Sequence, residues 1–201
     1  MSHLKLLEAS FVATVMTFAA SYGYATEFSA RLNGFNELGA LNNQTGAVLS
    51  DGTGTVSLEL NQKAGMIEYT LSYSKVGTTP PKTGTVSQAH IHFGKSRDSG
   101  GVLVFFCTNL TFSGTGPTPP ACPKNSGTLS GTWTKANVQA IAGQNVVAGD
   151  FDALVDALAS NTAYANVHTT SGTTPDTALP AGEIRGQIHS EDNQDQEHRD
   201  D

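Results

Sequence analysis

The chain has 201 residues, enough for one domain with a substantial hydrophobic core but short for two. Charged residues make up only 14% of the composition beside 21 Gly and 8 Pro, which excludes a coiled coil or a highly charged disordered chain and favours short strands joined by turns. The net charge of -7 has the wrong sign for a nucleic-acid partner or an anionic membrane surface.

The N-terminal segment has the pattern of a secretory signal peptide. Lys5 precedes an apolar stretch over Ala9–Ala20, and small residues, Gly23 and Ala25, stand where a signal peptidase requires them. The apolar stretch is shorter than the roughly 20 residues of a membrane-spanning helix. We therefore expect residues 1–25 to be removed, leaving a secreted or periplasmic protein with no membrane span.

Export changes the interpretation of the two cysteines, Cys107 and Cys122. In an oxidising compartment two cysteines most simply form one disulfide. Closing a loop of 15 residues would stabilise the fold by about 3 kcal/mol in the chain-entropy model. The alternative is a pair of free or metal-bound thiols, although the pair lacks the CxxC spacing of thiolate metal sites.

Hydrophobic alternation with a period of two dominates the mature chain and predicts about eight half-buried strands. We therefore expect an all-β fold, an antiparallel Greek-key β-sandwich. The segments concerned begin with alternating runs from Phe28, Val56 and Ile67 and continue over 86–93, 102–107, 128–134, 162–168 and 183–189.

One short helix is predicted in a connection, between Asp150 and Ser160. Apolar residues there recur at i, i+3, i+4 and i+7, and Asp150 is suited to the N-cap position. A weaker helical turn is predicted over Lys135–Ile141.

The last residues, Ser190–Asp201, carry six acids against one Arg. Such a charge run predicts a solvated, disordered acidic tail, with a metal-collecting or docking tail as the alternative. The predicted folded domain is therefore 26–189.

Two histidines alternate on one predicted strand, in the sequence Ala89-His90-Ile91-His92-Phe93-Gly94. Alternation places both imidazoles on one face, about 6 to 7 Å apart, and a histidine from a neighbouring strand about 4.8 Å away would complete a set of three. His168, at the end of a later strand, is the candidate. The sequence thus predicts a metal site formed by His90, His92 and His168.

Neutral imidazole suits copper and zinc, so the predicted cofactor is a copper or zinc ion. Asp98, Glu183 and His189 are candidates for a fourth ligand, and the second ring nitrogens need acceptors such as backbone carbonyls or Asn166. The alternative is that the histidines only form hydrogen bonds inside the fold.

At these residues the chain resembles the CHRD domain, which is found in chordin and in many exported bacterial proteins. The resemblance starts at Phe28-Ser29-Ala30-Arg31-Leu32-Asn33-Gly34 with Glu37, and it is most specific at the two-histidine strand. It continues at Tyr164-Ala165-Asn166-Val167-His168-Thr169 and at Pro180-Ala181-Gly182-Glu183-Ile184-Arg185-Gly186-Gln187-Ile188. It implies an all-β extracytoplasmic module with Cys107 and Cys122 as its cysteine pair, but no settled activity.

A second resemblance is local. His90-Ile91-His92-Phe93-Gly94 is similar to the copper-ligand strand of the copper-zinc superoxide dismutases, so the sandwich is expected to be immunoglobulin-like or superoxide-dismutase-like. The chain has no histidine between His92 and His168, so the bridging and zinc-loop histidines of those enzymes are missing. Arg185 would either steer an anion or, more simply, form a structural fork with an acid or a loop carbonyl.

Three functions follow as hypotheses. The first is an exported module that binds a transition metal, with copper favoured over zinc. The second is an interaction or structural module that meets a protein partner at the cell envelope or outside the cell. The third is a copper-only, superoxide-dismutase-like redox enzyme, although the sequence provides no catalytic residue set and favours binding over catalysis. The oligomeric state stays open.

Overall fold

The structure is a computed structural model that describes residues 26–38, 46–80, 83–170 and 179–191. The predicted signal peptide, residues 1–25, and the predicted acidic tail from residue 192 onwards lie outside the described residues.

The described chain contains nine strands and one α-helix. These are β1 (Thr26–Asn33), β2 (Thr53–Asn61), β3 (Met66–Ser74), β4 (Thr85–Phe93), β5 (Val102–Thr108), β6 (Gly127–Thr134), α1 (Phe151–Ala159), β7 (Ala163–Thr170), β8 (Ile184–Gln187) and β9 (His189–Ser190). The prediction of an all-β chain with one short helix is confirmed, and β9 carries the fold one residue beyond the predicted domain end at 189. The predicted helical turn near Lys135 is a short 3-10 helix over Lys135–Asn137.

The strands form one antiparallel sheet in the order β5-β4-β7-β8-β1-β2-β3-β6, with β9 paired to β1. A sandwich would have two separate sheets, whereas here the β8–β1 pair, Arg185 opposite Asn33, joins the two halves into one hydrogen-bonded path. The sheet curves until its two edges approach, since Trp133 Nε1 on β6 donates to the Phe105 carbonyl on β5 at 2.9 Å. The result is a nearly closed, barrel-like sheet rather than two facing layers.

Inward-facing residues of the alternating strands fill the interior of this barrel. On β2 every second residue from Gly54 to Leu60 is buried and the residues between are exposed. Tyr69 stacks on Trp133 with ring centroids 4.2 Å apart and meets Phe106 edge-on at 5.3 Å. These aromatic contacts connect β3, β6 and β5 and fix the closing edge.

Cys107 and Cys122 form a disulfide, as predicted, so both thiol alternatives are excluded. The bond ties the end of β5 to the loop that follows it. Asn109 adds to this tie because its Oδ1 accepts from the Cys122 backbone N at 3.0 Å. Disulfides of this kind are typical of oxidising compartments outside the cytoplasm.

Helix α1 begins after Asp150, whose side chain accepts a hydrogen bond from the Ala153 backbone N at 3.0 Å. Leu154, Ala157 and Leu158 are buried against the sheet, so the predicted N-cap and apolar face are both confirmed. Among the residues that the structure describes, no helix combines the length and apolarity that a bilayer crossing requires.

Candidate metal centre

A buried polar layer lies on the outer face of β4, β7 and β8. Because side chains alternate along a strand, the face that carries His90 and His92 continues on β7 and β8. The residues that share it are Gln88, His90, His92, Tyr164, Asn166, His168, Arg185 and Gln187. Strand β7 is buried on both faces through Thr169, so loops must cover this layer.

The three predicted histidines converge in this layer. One ring nitrogen from each of His90, His92 and His168 lies within 4.8 Å of the other two. His90 Nδ1 and His92 Nε2 are 3.0 Å apart. In an occupied site with metal–nitrogen bonds of about 2.0–2.1 Å the nitrogens would lie roughly 3.3–3.6 Å apart, so only small side-chain movements separate this arrangement from a ligand set.

Backbone carbonyls hold two of the rings in one tautomer. His92 Nδ1 donates to the Gly100 carbonyl at 2.9 Å, and His168 Nδ1 donates to the Pro180 carbonyl at 2.8 Å. A carbonyl oxygen only accepts, so each Nδ1 carries a proton and each neutral ring presents a bare Nε2 to the cluster. The predicted acceptors for the second nitrogens are therefore carbonyls and not Asn166.

Hydrogen bonding inside the cluster leaves one nitrogen without a partner. Since His92 Nε2 is bare, His90 Nδ1 is the donor between these two rings. His168 Nε2 is buried and has no hydrogen-bond partner. Native proteins rarely leave such a group unsatisfied, so this lone pair points to a ligand that completes it.

Burial keeps all three rings neutral. Loss of water lowers the pKa of His92 to about 4 and that of His168 to about 3, despite the carbonyl bonds that favour protonation. The pKa of His90 falls well below its ordinary value through burial and the neighbouring His168 and His92 rings. The three rings therefore stay uncharged at neutral pH.

Arg185 fastens the loop between β4 and β5 over the cluster. Its guanidinium is buried and donates to the Lys95 and Asp98 carbonyls, both at 2.9 Å. The structural fork to loop carbonyls, one of the two predicted roles of Arg185, is therefore the one observed. In the same loop Gly100 donates its N–H to the Tyr164 hydroxyl at 3.2 Å and accepts from His92.

Gly100 is required at this position. A Cβ there would collide with the Phe93 carbonyl. A side chain at position 100 would therefore displace the Gly100 carbonyl, which orients His92. Arg185, Tyr164 and Gly100 thus act together to position one metal-ligand candidate.

Glu37 closes the layer from the segment after β1. It is 1% exposed, and both of its carboxylate oxygens accept from Asn166 Nδ2, at 3.0 and 2.9 Å. Burial raises the pKa of Glu37 to about 7, although hydrogen bonds and Arg185 oppose the shift. A Cβ at Gly182, where φ is +132°, would collide with both partners, so glycine is needed in the turn before β8.

None of the three candidates for a fourth ligand joins the cluster. Among the described residues, the group of potential ligands contains the three histidines alone. Asp98 contributes its backbone carbonyl to Arg185, and Glu183 accepts from Ser50, Gly77 and Thr83. His189 is exposed on β9.

Sequence reasoning missed Tyr164 and Glu37 as part of the site. Tyr164 was detectable, because its position two and four residues before Asn166 and His168 places it on their face. Its ring stacks on His92 with centroids 4.7 Å apart and planes 4° apart. Glu37 lies far away in sequence, and only the β1–β8 pairing brings it to Asn166.

Comparison with protein families agrees with this architecture. A model of the CHRD domain matches residues 28–188, which spans most of the chain and all of the site. The chain belongs to the CHRD domain family. A search of curated proteins gave no match. The local resemblance to copper-zinc superoxide dismutases gains no support from the family match and rests on the short histidine strand alone.

Proposed function

We propose that this CHRD domain is an extracytoplasmic metal-binding module that holds one transition-metal ion, with copper favoured over zinc, through His90, His92 and His168. The observation that carries the proposal is the buried His168 Nε2, a bare acceptor with no hydrogen-bond partner among the described residues. A bound ion would satisfy it and replace the single hydrogen bond between His90 and His92.

The donor set supports copper or zinc among the common ions. Three neutral imidazole nitrogens are preferred by copper, zinc and nickel, whereas calcium and magnesium require oxygen ligands. Among divalent first-row ions, nitrogen sites bind copper most tightly. His90 would have to present Nδ1 without its proton, which needs only a tautomer change.

The surroundings of the site support a stable resting place for the ion. Phe105 meets the His90 ring edge-on at 4.9 Å and contributes an apolar wall. The carbonyls of Gly100 and Pro180 are acceptors of the kind that fix metal-bound histidines in other proteins and raise their basicity. The disulfide and the predicted signal peptide support a location outside the cytoplasm.

An interaction or structural module of the cell envelope is the second candidate. Phe35 and Leu49 are 68% and 80% exposed. They flank the hydrogen bond between Val48 N and the Gly34 carbonyl at 2.7 Å, so both lie on one part of the surface. Large exposed apolar side chains in adjacent segments favour a protein partner there.

The copper-only redox enzyme is the third hypothesis and has the least support. Arg185 is engaged with two carbonyls beneath the loop, which leaves it unsuited to guiding an anion towards the histidines.

Metal content decides between the first two functions. The full chain, exported and free of any histidine tag, is dialysed against copper or zinc and the bound metal per chain is counted. We expect one ion per chain in the wild type and in His189→Ala, which removes an exposed strand histidine outside the cluster. In His168→Ala we expect binding weaker by roughly 100-fold or more.

Equal, sub-stoichiometric binding in the wild type and His168→Ala would overturn the metal-binding proposal and favour the interaction module. Folding is checked by the thermal transition of each metal-free variant. A bound ion should raise the transition temperature of the wild type and of His189→Ala and leave that of His168→Ala unchanged.

A further inference from the structure

The charges around the histidine cluster allow the oxidation state of its ion to be inferred. The three donors are neutral imidazoles, and no carboxylate or thiolate joins them among the described residues. The cysteines are closed in a disulfide, so no thiolate is available. A metal ion here would keep its full charge inside the protein.

The buried acids nearby do not enter the ligand set. Glu183 is fully buried and accepts from the Ser50 hydroxyl at 2.7 Å and the Gly77 backbone N at 2.8 Å, away from the cluster. Both carboxylate oxygens of Glu37 accept hydrogen bonds from Asn166 Nδ2. Neither carboxylate reaches a histidine.

A cation lies next to the cluster instead. The guanidinium carbon of Arg185 lies 3.4 Å from the centroid of the Tyr164 ring, and the His92 ring stacks on the same tyrosine at 4.7 Å. Strand β7 lies between β4 and β8, so the Tyr164 ring separates His92 from Arg185. Arg185 is 2% exposed, so water screens its charge weakly.

Burial without an anionic ligand and the nearby positive charge of Arg185 both penalise a divalent ion more than a monovalent one. The cost of transferring an ion from water into a medium of low dielectric constant rises with the square of its charge, and repulsion from Arg185 rises in proportion to it. At a distance of about 10 Å and an effective dielectric constant of about 20, one extra unit charge changes binding by roughly tenfold.

The number of donors also favours a monovalent ion. Zn²⁺ in proteins is almost always four-coordinate, and three protein ligands then require a water or another molecule in the fourth position. His90 and His168 are only 3% and 5% exposed, which leaves little access for such a ligand. Monovalent copper accepts three ligands and carries a single charge.

We propose that the three-histidine site of this protein is selective for monovalent copper, Cu(I), over divalent ions. This inference rests on the proposed metal-binding function and adds the oxidation state to it. The three neutral nitrogens supply the trigonal ligand set. Arg185 and the absence of an acidic ligand among the described residues disfavour the second positive charge of a divalent ion.

A comparison of Cu(I) with Zn(II) tests the inference, because both ions have a filled d shell and differ in charge and preferred ligand number. The full chain is titrated without oxygen, with ascorbate keeping copper reduced and a chromophoric chelator competing for each ion. We expect Cu(I) to bind at least about tenfold more tightly than Zn(II).

A variant that adds one negative charge tests the electrostatic origin. Gln88 lies directly opposite His168 on the β4–β7 pair and is only half-buried, so Gln88→Glu places a carboxylate beside the cluster with little change in shape. We expect the ratio of Cu(I) to Zn(II) affinity to fall by roughly three- to tenfold. Ser130→Glu, exposed on β6, adds the same charge on the distant half of the barrel and should leave the ratio unchanged.

The outcomes separate the two proposals. If neither ion binds, the metal-binding function itself is wrong. If Zn(II) binds as tightly as Cu(I), or if Gln88→Glu and Ser130→Glu give the same ratio, the selectivity for Cu(I) is overturned while the metal-binding function stands.

Discussion

The two halves of the barrel differ in what lies on their outer face. On β2, β3 and β6 that face carries hydroxyl side chains open to water, and pairs such as Thr70 with Ser130, 3.0 Å apart, bond across strands. On β4, β7 and β8 loops cover the outer face and bury the polar layer with the three histidines. One continuous sheet thus has a solvated half and a doubly buried half.

The distribution of unsatisfied groups shows what this difference means. Among the described residues, the buried side-chain atoms without a hydrogen-bond partner belong to Asn161, Asn166, His168 and Gln187. All four lie in β7, in β8 or in the turn before β7. Water satisfies polar groups on the open half, whereas on the covered half they must find protein partners or a ligand. The covered half is therefore where a binding function is expected.

Removal of the Arg185 fork should give the largest effect. Arg185→Met leaves the Lys95 and Asp98 carbonyls without their donor and removes the stack on Tyr164. We expect the free energy of unfolding to fall by about 3 to 5 kcal/mol, since each hydrogen bond to a charged group contributes about 1.5–3 kcal/mol. Chemical denaturation of the metal-free protein measures it.

Arg31→Met is the matched control because Arg31 lies exposed on β1, opposite Thr55 of the open strand β2. It should change the free energy of unfolding by less than about 0.5 kcal/mol. Similar losses in the two variants would show that burial does not distinguish the halves energetically.

Acid should destabilise the metal-free protein through the covered half. The pKa values of the three histidines are lowered by folding, so their contribution to stability is present above about pH 6.5 and is lost as the pH falls towards the folded values near 4 and 3 for His92 and His168. Glu37 acts in the opposite direction. Its pKa is raised to about 7, because burial of the ionised carboxylate destabilises the folded protein. This destabilisation decreases as the carboxylate is protonated, while the pH falls from 7 towards 4.5.

The net effect is the uptake of about two protons on unfolding near pH 5, which predicts a loss of about 3 to 4 kcal/mol between pH 7 and pH 5. Urea denaturation at a series of pH values measures the slope. His168→Gln removes one of about two net protons and should reduce the slope by about half, with His189→Gln, a change at an exposed position on β9, as the control. An unchanged slope in His168→Gln would mean that this ring is not held neutral in the folded protein.

The disulfide should contribute an intermediate effect. Replacing Cys107 and Cys122 together by alanine releases the loop after β5, and the chain-entropy model gives a loss of about 3 kcal/mol. Cys107 lies opposite Ala89 on β4, and alternation places His90 and His92 on the other face of that strand, so metal affinity should change less than about threefold. Loss of metal binding in a variant that still unfolds cooperatively would show that the disulfide shapes the site as well as the fold.

The strands and the helix could be predicted because their signals are local. Alternation from Phe28, Val56 and Ile67 reports which residues face the interior, and Asp150 marks the start of α1. Closure into a single curved sheet could not be predicted this way. It depends on the pairing of Arg185 with Asn33 and on the Trp133 bond to Phe105, which are distant in sequence.

The same division applies to the site. His90 and His92 share a face by alternation alone, and His168 was found because it ends a strand of the right character. Backbone carbonyls were predicted as one kind of acceptor for these rings, but Gly100 and Pro180 could not be identified as the residues that supply them, because a carbonyl has no sequence signal. Glu183 accepts from Ser50, Gly77 and Thr83 instead, and His189 lies exposed on β9, although the residue types of both suited a fourth ligand.

The smallest effect is expected on the open half, where Thr70 and Ser130 bond between exposed strands. Thr70→Val and Ser130→Ala, alone and together, should give a coupling below about 0.5 kcal/mol in a double-mutant cycle of unfolding free energies, because water replaces the lost partner. A coupling above about 1 kcal/mol would mean that this face is shielded from water in solution. The two halves would then differ in what covers them, and the hydroxyl face would itself become a candidate contact surface.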